Sequence, residues 1–172
     1  MQIKENEYGE FYTDYVKLSN GKPLIDRLKN RMAEMTNLLN TISEEQSLYR
    51  YEKDKWSIKE VTGHIIDTER IFSYRALALA RGEENPLMGY DHNQYVANAG
   101  FDRFKLEDFN IQYRATRGAT IALFSNFDEM ELLRGGVVND SNFTVRGLGY
   151  VIAGHEMHHL KVLKEKYIPG LL

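Results

Sequence analysis

A chain of 172 residues is long enough to bury a core without staples and short enough to form one domain over 1–172. Its formal charge of -3 leaves no basic footprint for nucleic acid, and its lack of cysteine excludes disulfides, thiolate metal ligands and a cysteine nucleophile. Met1 to Glu10 is too polar for a signal peptide and no apolar run reaches membrane-spanning length, so the expectation is a cytoplasmic protein with neither membrane nor nucleic-acid partners.

Residues 1–22 set Tyr8, Phe11, Tyr12 and Tyr15 among acidic neighbours and end in Ser19-Asn20-Gly21. They read as an arm that packs its rings onto the body before a turn. Pro23 suits the first turn of a helix, where its missing N–H is no loss. Leu24, Leu28, Met32, Met35, Leu39 and Ile42 then recur at helical spacing, which predicts a first long helix over roughly 23–42. Ser57, with Glu60 three positions on, forms a capping box that opens a second helix running to about Arg81. Its inward stripe is Ile58, Val61, Ile65, Thr68, Phe72 and Leu79, with His64 beside it one turn in.

Residues 82–104 form a long connection, dense in polar and aromatic groups from Tyr90 to Tyr95, of a kind that is often functional or carries short helical turns. A third helix is expected from about Lys105, with Leu106, Phe109, Tyr113, Thr116, Leu123 and Phe127 inward, stopping before Gly135-Gly136. Val137 to Phe143 reads as two short extended pieces around a turn. Thr144 is the expected N-cap of a fourth helix reaching about Lys166. Four helices of roughly 20 residues with long connections predict an all-α four-helix bundle.

Three of the five histidines lie between Gly154 and Leu160. Leu148, Ile152, His155, His159 and Val162 keep the alternating four-three spacing of a core stripe, whereas His158 aligns with Gly154 and Lys161 on a more solvated side. His155 and His159 therefore share a face, about 6 Å apart along the axis, close enough to grip one ion. His64 is the other histidine on an inward helix face, since His92 falls in the connection. Bundles build metal sites from inward side chains of facing helices, which makes His64, His155 and His159 a natural three-nitrogen set. Three protein ligands leave a position open for water or substrate. Core or surface histidines with ordinary hydrogen bonds are the plain alternative.

His155-Glu156-Met157-His158-His159 also satisfies His-Glu-x-x-His, in which two histidines bind zinc and the glutamate is a general base. This zincin-type peptidase is the minor alternative. The further downstream ligand of that class is missing, and Glu156 is expected to point away from the His155/His159 face into solvent.

The run Trp56-Ser57-Ile58-Lys59-Glu60-Val61-Thr62-Gly63-His64, with Asp67 and Arg70, resembles the second helix of DinB-like proteins, including the YfiT-type metal-dependent hydrolases. Thr144 to Leu160, carrying His155 and His159, resembles the last helix of that family, and the likeness spans about residues 24–167. The resemblance implies an up-down-down-up four-helix bundle, a divalent metal on His64, His155 and His159, and frequent homodimers. It also implies reactions such as hydrolysis, or S-transfer and isomerisation with low-molecular-weight thiols such as bacillithiol or mycothiol.

Zinc or nickel on three imidazoles can activate a bound water, giving a hydrolase, or a thiol, giving a transferase, on a small-molecule substrate. Asp91 and Glu60 are the candidate bases or supporting partners. Each also has a plain structural role open to it, Glu60 in the capping box and Asp91 in a turn. A bundle whose metal is structural, or whose role is binding without catalysis, is the alternative from a different class.

Overall fold

The computed structural model describes residues 3–171; Met1 and Gln2 of the expected arm, and the final Leu172, lie outside them. In chain order the helices are α1 Thr13–Ser19, α2 Leu24–Asn40, α3 Ile58–Ala80, α4 His92–Ala99, α5 Leu106–Ser125, α6 Glu129–Leu133 and α7 Val145–Val162. Two short strands, β1 Gly135–Val138 and β2 Ser141–Thr144, pair antiparallel between α6 and α7. The long helices α2, α3, α5 and α7 form the bundle, each of α2 and α3 packing against both α5 and α7.

Cross-helix contacts fix the directions. Tyr150 Oη reaches Lys22 O at 3.0 Å and Lys164 pairs with Glu34, so α2 and α7 run in parallel. Arg70 meets Gln112 at 3.2 Å and Ser73 meets Thr120 at 3.0 Å, so α3 and α5 are parallel too. Asn40 near the end of α2 meets Asn110 near the start of α5, which sets the two pairs opposed. The result is the up-down-down-up bundle.

Local chemistry explains where the elements begin and stop. Ser57 accepts from the Glu60 amide while the Glu60 carboxylate accepts from the Ser57 amide at 2.8 Å, a closed capping box at the head of α3. Thr144 caps α7 through the Gly147 amide at 3.0 Å. The β1–β2 turn carries Asn139 and Asp140 at φ 48° and 59°, the left-handed conformation that a two-residue hairpin loop needs and that Asn and Asp tolerate. The long connection is more ordered than its composition suggests. Asp91 accepts from the amides of Asn93 and Gln94 and so starts α4, and Leu87 exchanges backbone hydrogen bonds with Val137 and Asn139 on the hairpin.

Two readings change at α5. The helix stops at Ser125, because Asn126 caps it and Asp128 opens α6 with its own capping box through Glu131. Its buried line is Phe109, Tyr113, Arg117, Thr120 and Phe124, so an arginine occupies the centre of the core where Thr116 and Leu123 are only half-buried. The apolar core falls into two clusters, one around Leu28, Phe72, Phe124 and Leu148, the other around Met35, Ile65, Phe109 and Leu160. Fully burying each such side chain stabilises the fold by about 1.5–3 kcal/mol.

The arm packs onto the body through two short 3-10 turns, Glu5–Glu7 and Glu10–Tyr12, and α1. Ser19 Oγ donates to Tyr150 O at 2.8 Å, and Glu7 is held by Arg146 and by Thr144 Oγ1. Its backbone lies directly on α7: a Cβ on Gly154 would fall 1.8 Å from Tyr15 O, and one on Gly147 would fall 2.0 Å from Glu7 O. With α1 on one side and α2 and α3 on others, α7 is enclosed around nearly its whole circumference. Glu156, on the side away from the arm, meets Tyr113 and Arg117 of α5; it is 1% exposed, which overturns the expectation that it is solvated.

Candidate metal centre

His64 enters from the second turn of α3, and His155 and His159 from one face of α7, where the two helices cross antiparallel. Their Nε2 atoms converge: His64 to His155 is 2.9 Å, and His159 to His155 is 3.1 Å. The three donor nitrogens all lie within 4.8 Å of one another. The Nε2 of His155 carries either one proton or one in-plane lone pair, and cannot serve two such neighbours well. A cation shared by three lone pairs satisfies all three at once, so the donor set fits a metal that accepts imidazole. On the outer side, Thr68 Oγ1 lies 3.4 Å from His64 Nδ1 and 2.8 Å from Tyr90 Oη, a contact of the kind that sets ring orientation.

Burial keeps these rings neutral. Desolvation pulls His64 down to about 4, with His92 adding repulsion of the protonated form. Desolvation also drives His155 and His159 well below the usual histidine range, followed by the mutual repulsion of neighbouring imidazoles. Neutral imidazole is the form that binds metal, so the site is ready for an ion without first releasing protons. A pH dependence follows for the metal-free protein. Below the ordinary value of 6.5 the unfolded chain protonates His64, while the folded chain does not until about 4. The unfolded state thus binds more protons in that window, and stability is lost as pH drops through it, by at most about 1.4 kcal/mol per unit from this ring alone. His155 and His159 act in the same direction. Urea melts of chelator-treated protein at about pH 7.5 and about pH 5 should show a clear drop in midpoint; a flat profile would contradict the buried neutral cluster.

The histidines form the floor of an open cavity of about 340 Å³. Trp56, Tyr12, Tyr15 and Phe72 supply aromatic walls, while Tyr90, His92 and Arg75 complete the lining. Trp56 sits with its ring 4.9 Å from His64, and Tyr15 of the arm is edge-on to His155 at 5.4 Å. His92, exposed at the head of α4, has its ring 5.5 Å from that of His64. His158 is exposed and its ring packs on Tyr15, outside the converging set.

The two candidate carboxylates are both engaged elsewhere. Glu60 is bound to the Ser57 amide and to Arg50, and Asp91 to the amides that begin α4. Glu156 faces α5: Tyr113 donates to it and Arg117 pairs with it at 2.7 Å, away from the cavity. The His-Glu-x-x-His pattern therefore lacks the geometry of a base beside a metal. Sequence reasoning missed Tyr12 and Tyr15 as cavity walls and Arg75 altogether, and it set His92 aside as part of the connection. Those four come from the turn before α1, from α1, α3 and α4, and no local spacing links them.

A model of the DinB superfamily matches residues 27–163. Among solved structures, the chain is similar to YfiT from Bacillus subtilis, described as a probable metal-dependent hydrolase with an unusual four-helix bundle topology. The TM-score is 0.74 at 16% identity, covering 96% of this chain and 90% of that one. It is also similar to the DinB-like protein YjoA from Bacillus subtilis, with a TM-score of 0.62 at 19% identity over 86% of this chain and 91% of that one. At such identities the likeness establishes the fold. A search of curated proteins gave no match.

Proposed function

The chain belongs to the DinB superfamily, and from that premise we propose that it is a metal-dependent enzyme acting on a small molecule. The observation that carries this reading is the convergence of three Nε2 atoms at the floor of an open, aromatic-walled cavity. A structural site is closed by its ligands, whereas three protein ligands facing a cavity leave room for a reactant. YfiT, which shares the fold, is described as a probable metal-dependent hydrolase, and that description supports the same class here.

A divalent metal such as zinc or nickel, held by His64, His155 and His159, supplies Lewis-acid activation of water or of a thiol. The chain's own groups do the rest. Trp56, Tyr12 and Tyr15 hold the apolar part of the substrate and exclude bulk water. His92, free of the converging set and facing the cavity, is placed to take up or deliver a proton. Glu60 and Asp91, being spent on helix caps, are weaker choices for that role.

Hydrolysis and thiol transfer are separated by assay. Chelator-stripped protein reloaded with zinc or nickel is incubated with simple esters and amides, then with a low-molecular-weight thiol plus an electrophile. Metal-dependent turnover in either series is the expected result. Silence in both, combined with a melting temperature that collapses on metal removal, would instead establish a structural ion.

A further inference from the structure

Arg75 stands apart among the buried cations. Lys59, 2% exposed, is paired with Glu44, and Arg117, 0% exposed, lies between Glu69 and Glu156. Arg75 is 3% exposed, yet among the described residues no carboxylate lies within ion-pair distance of it. Its Nη2 donates to Met88 O at 2.6 Å, and its guanidinium lies over the rings of Phe72 and Tyr90 at 5.0 and 5.6 Å. One carbonyl and two ring faces leave most of its five donors without an acceptor and its charge without a counter-ion. Buried charges are ordinarily paired, because leaving one unpaired is costly.

The cavity explains the exception. Arg75 lines it, and no Asp or Glu does, although the chain as a whole is acidic. Arg75 is 11 residues after His64 on α3, which returns it to nearly the same face, about 16 Å further along the axis. Helical side chains lean toward the N-terminus, so the guanidinium reaches back over Phe72 toward the histidine floor. The cavity thus has a cationic fork at one end, three imidazoles at the other, and aromatic rings between.

We propose that this cavity takes a small organic acid, whose carboxylate is gripped by Arg75 while its apolar body lies along the aromatic walls toward the histidines. The planar fork matches a carboxylate in two parallel hydrogen bonds, and the low-dielectric wall strengthens that pairing. The inference deepens the metal-enzyme reading and rests on it for what meets the far end of the substrate.

Trp56, the sole tryptophan, lines the cavity and reports its occupancy. Its fluorescence is titrated with 4-phenylbutyrate and with the neutral 4-phenylbutyramide, on metal-loaded and on chelator-stripped protein. Metal content and melting temperature are recorded for wild type, Arg75→Lys and Arg75→Met. Saturable binding of the acid is expected in both metal states, at least about tenfold tighter than the amide. It should weaken at least about tenfold in Arg75→Met at unchanged metal content, with Arg75→Lys in between. Equal affinity for acid and amide, equal affinity in wild type and Arg75→Met, or no saturable binding would each overturn the proposal. Acid binding that vanishes on stripping but survives Arg75→Met would assign the carboxylate to the metal and overturn it as well. If Arg75→Met does not fold, Arg75→Lys and the amide comparison decide. Wild type that carries no metal yet shows the Arg75 effect would sink the metal reading and leave this one standing.

Discussion

Metal content is expected to fall from about one divalent ion per chain to near none in His64→Ala and in His155→Ala, and to stay near one in His158→Ala. The geometry sets the order. His155 Nε2 is the shared vertex, at 2.9 Å from His64 and 3.1 Å from His159, so its removal takes away the nitrogen that both others face. His64 is the sole ligand from α3, and without it the ion is left with an i, i+4 pair on one helix. Loss of an outer partner alone costs about 10–100-fold in metal affinity, so loss of a direct ligand should exceed about 100-fold. His158 adjoins His159 in sequence but is exposed and packs on Tyr15, which makes it the control. Elemental analysis after dialysis against a weak chelator reads the outcome. A His158→Ala protein that loses its ion while His159→Ala keeps it would refute the assigned triad.

The convergence of those three histidines was legible in the sequence because it depends on short-range periodicity. The four-residue step from His155 to His159 is local, and the capping box at Ser57 and Glu60 fixes the phase of α3 and therefore the side on which His64 emerges. Thr144 does the same for α7. The bundle could be read for the same reason, since four apolar stripes at helical spacing must bury one another. The direction in which Glu156 points could not. Glu156 sits roughly 100° round α7 from His155, and the partners that bury it, Tyr113 and Arg117 of α5, are supplied only when the bundle packs. The arm's contribution depends on contacts across more than a hundred residues of sequence, such as Ser19 with Tyr150. Arg75 was hidden for a related reason. A lone arginine in a helix reads as surface charge until α4 and the hairpin-bound connection are folded over it.

Arg117→Met is expected to lower stability by about 3–5 kcal/mol while leaving metal content intact, because it strands buried carboxylates rather than disturbing the histidines. Arg117 lies at the level between the two apolar clusters, where its guanidinium meets both Glu69 oxygens at 2.8 Å, Glu156 at 2.7 Å and Leu28 O at 3.2 Å. It ties α5 to α2, α3 and α7 at once. Two acids around one cation leave surplus negative charge in the core. Burial accordingly raises the Glu156 carboxyl above its usual range, Arg117 works against that rise, Glu69 adds to it, and the Tyr113 hydroxyl opposes it by donating to Glu156. Removing Arg117 removes the opposing cation, so Glu156 should rise further. The folded state then holds a proton that the unfolded chain has released, and the stability deficit relative to wild type should grow as pH climbs above the ordinary 4.5. For a chain of this size the loss corresponds to roughly 6–20 °C in melting temperature at neutral pH. Glu156→Gln separates this network from the protease-like reading of the same segment: the variant sheds the surplus charge, leaves Arg117 paired with Glu69, and should keep its fold, its ion and any turnover. A Glu156→Gln protein with wild-type stability and abolished activity would restore the glutamate to the chemistry.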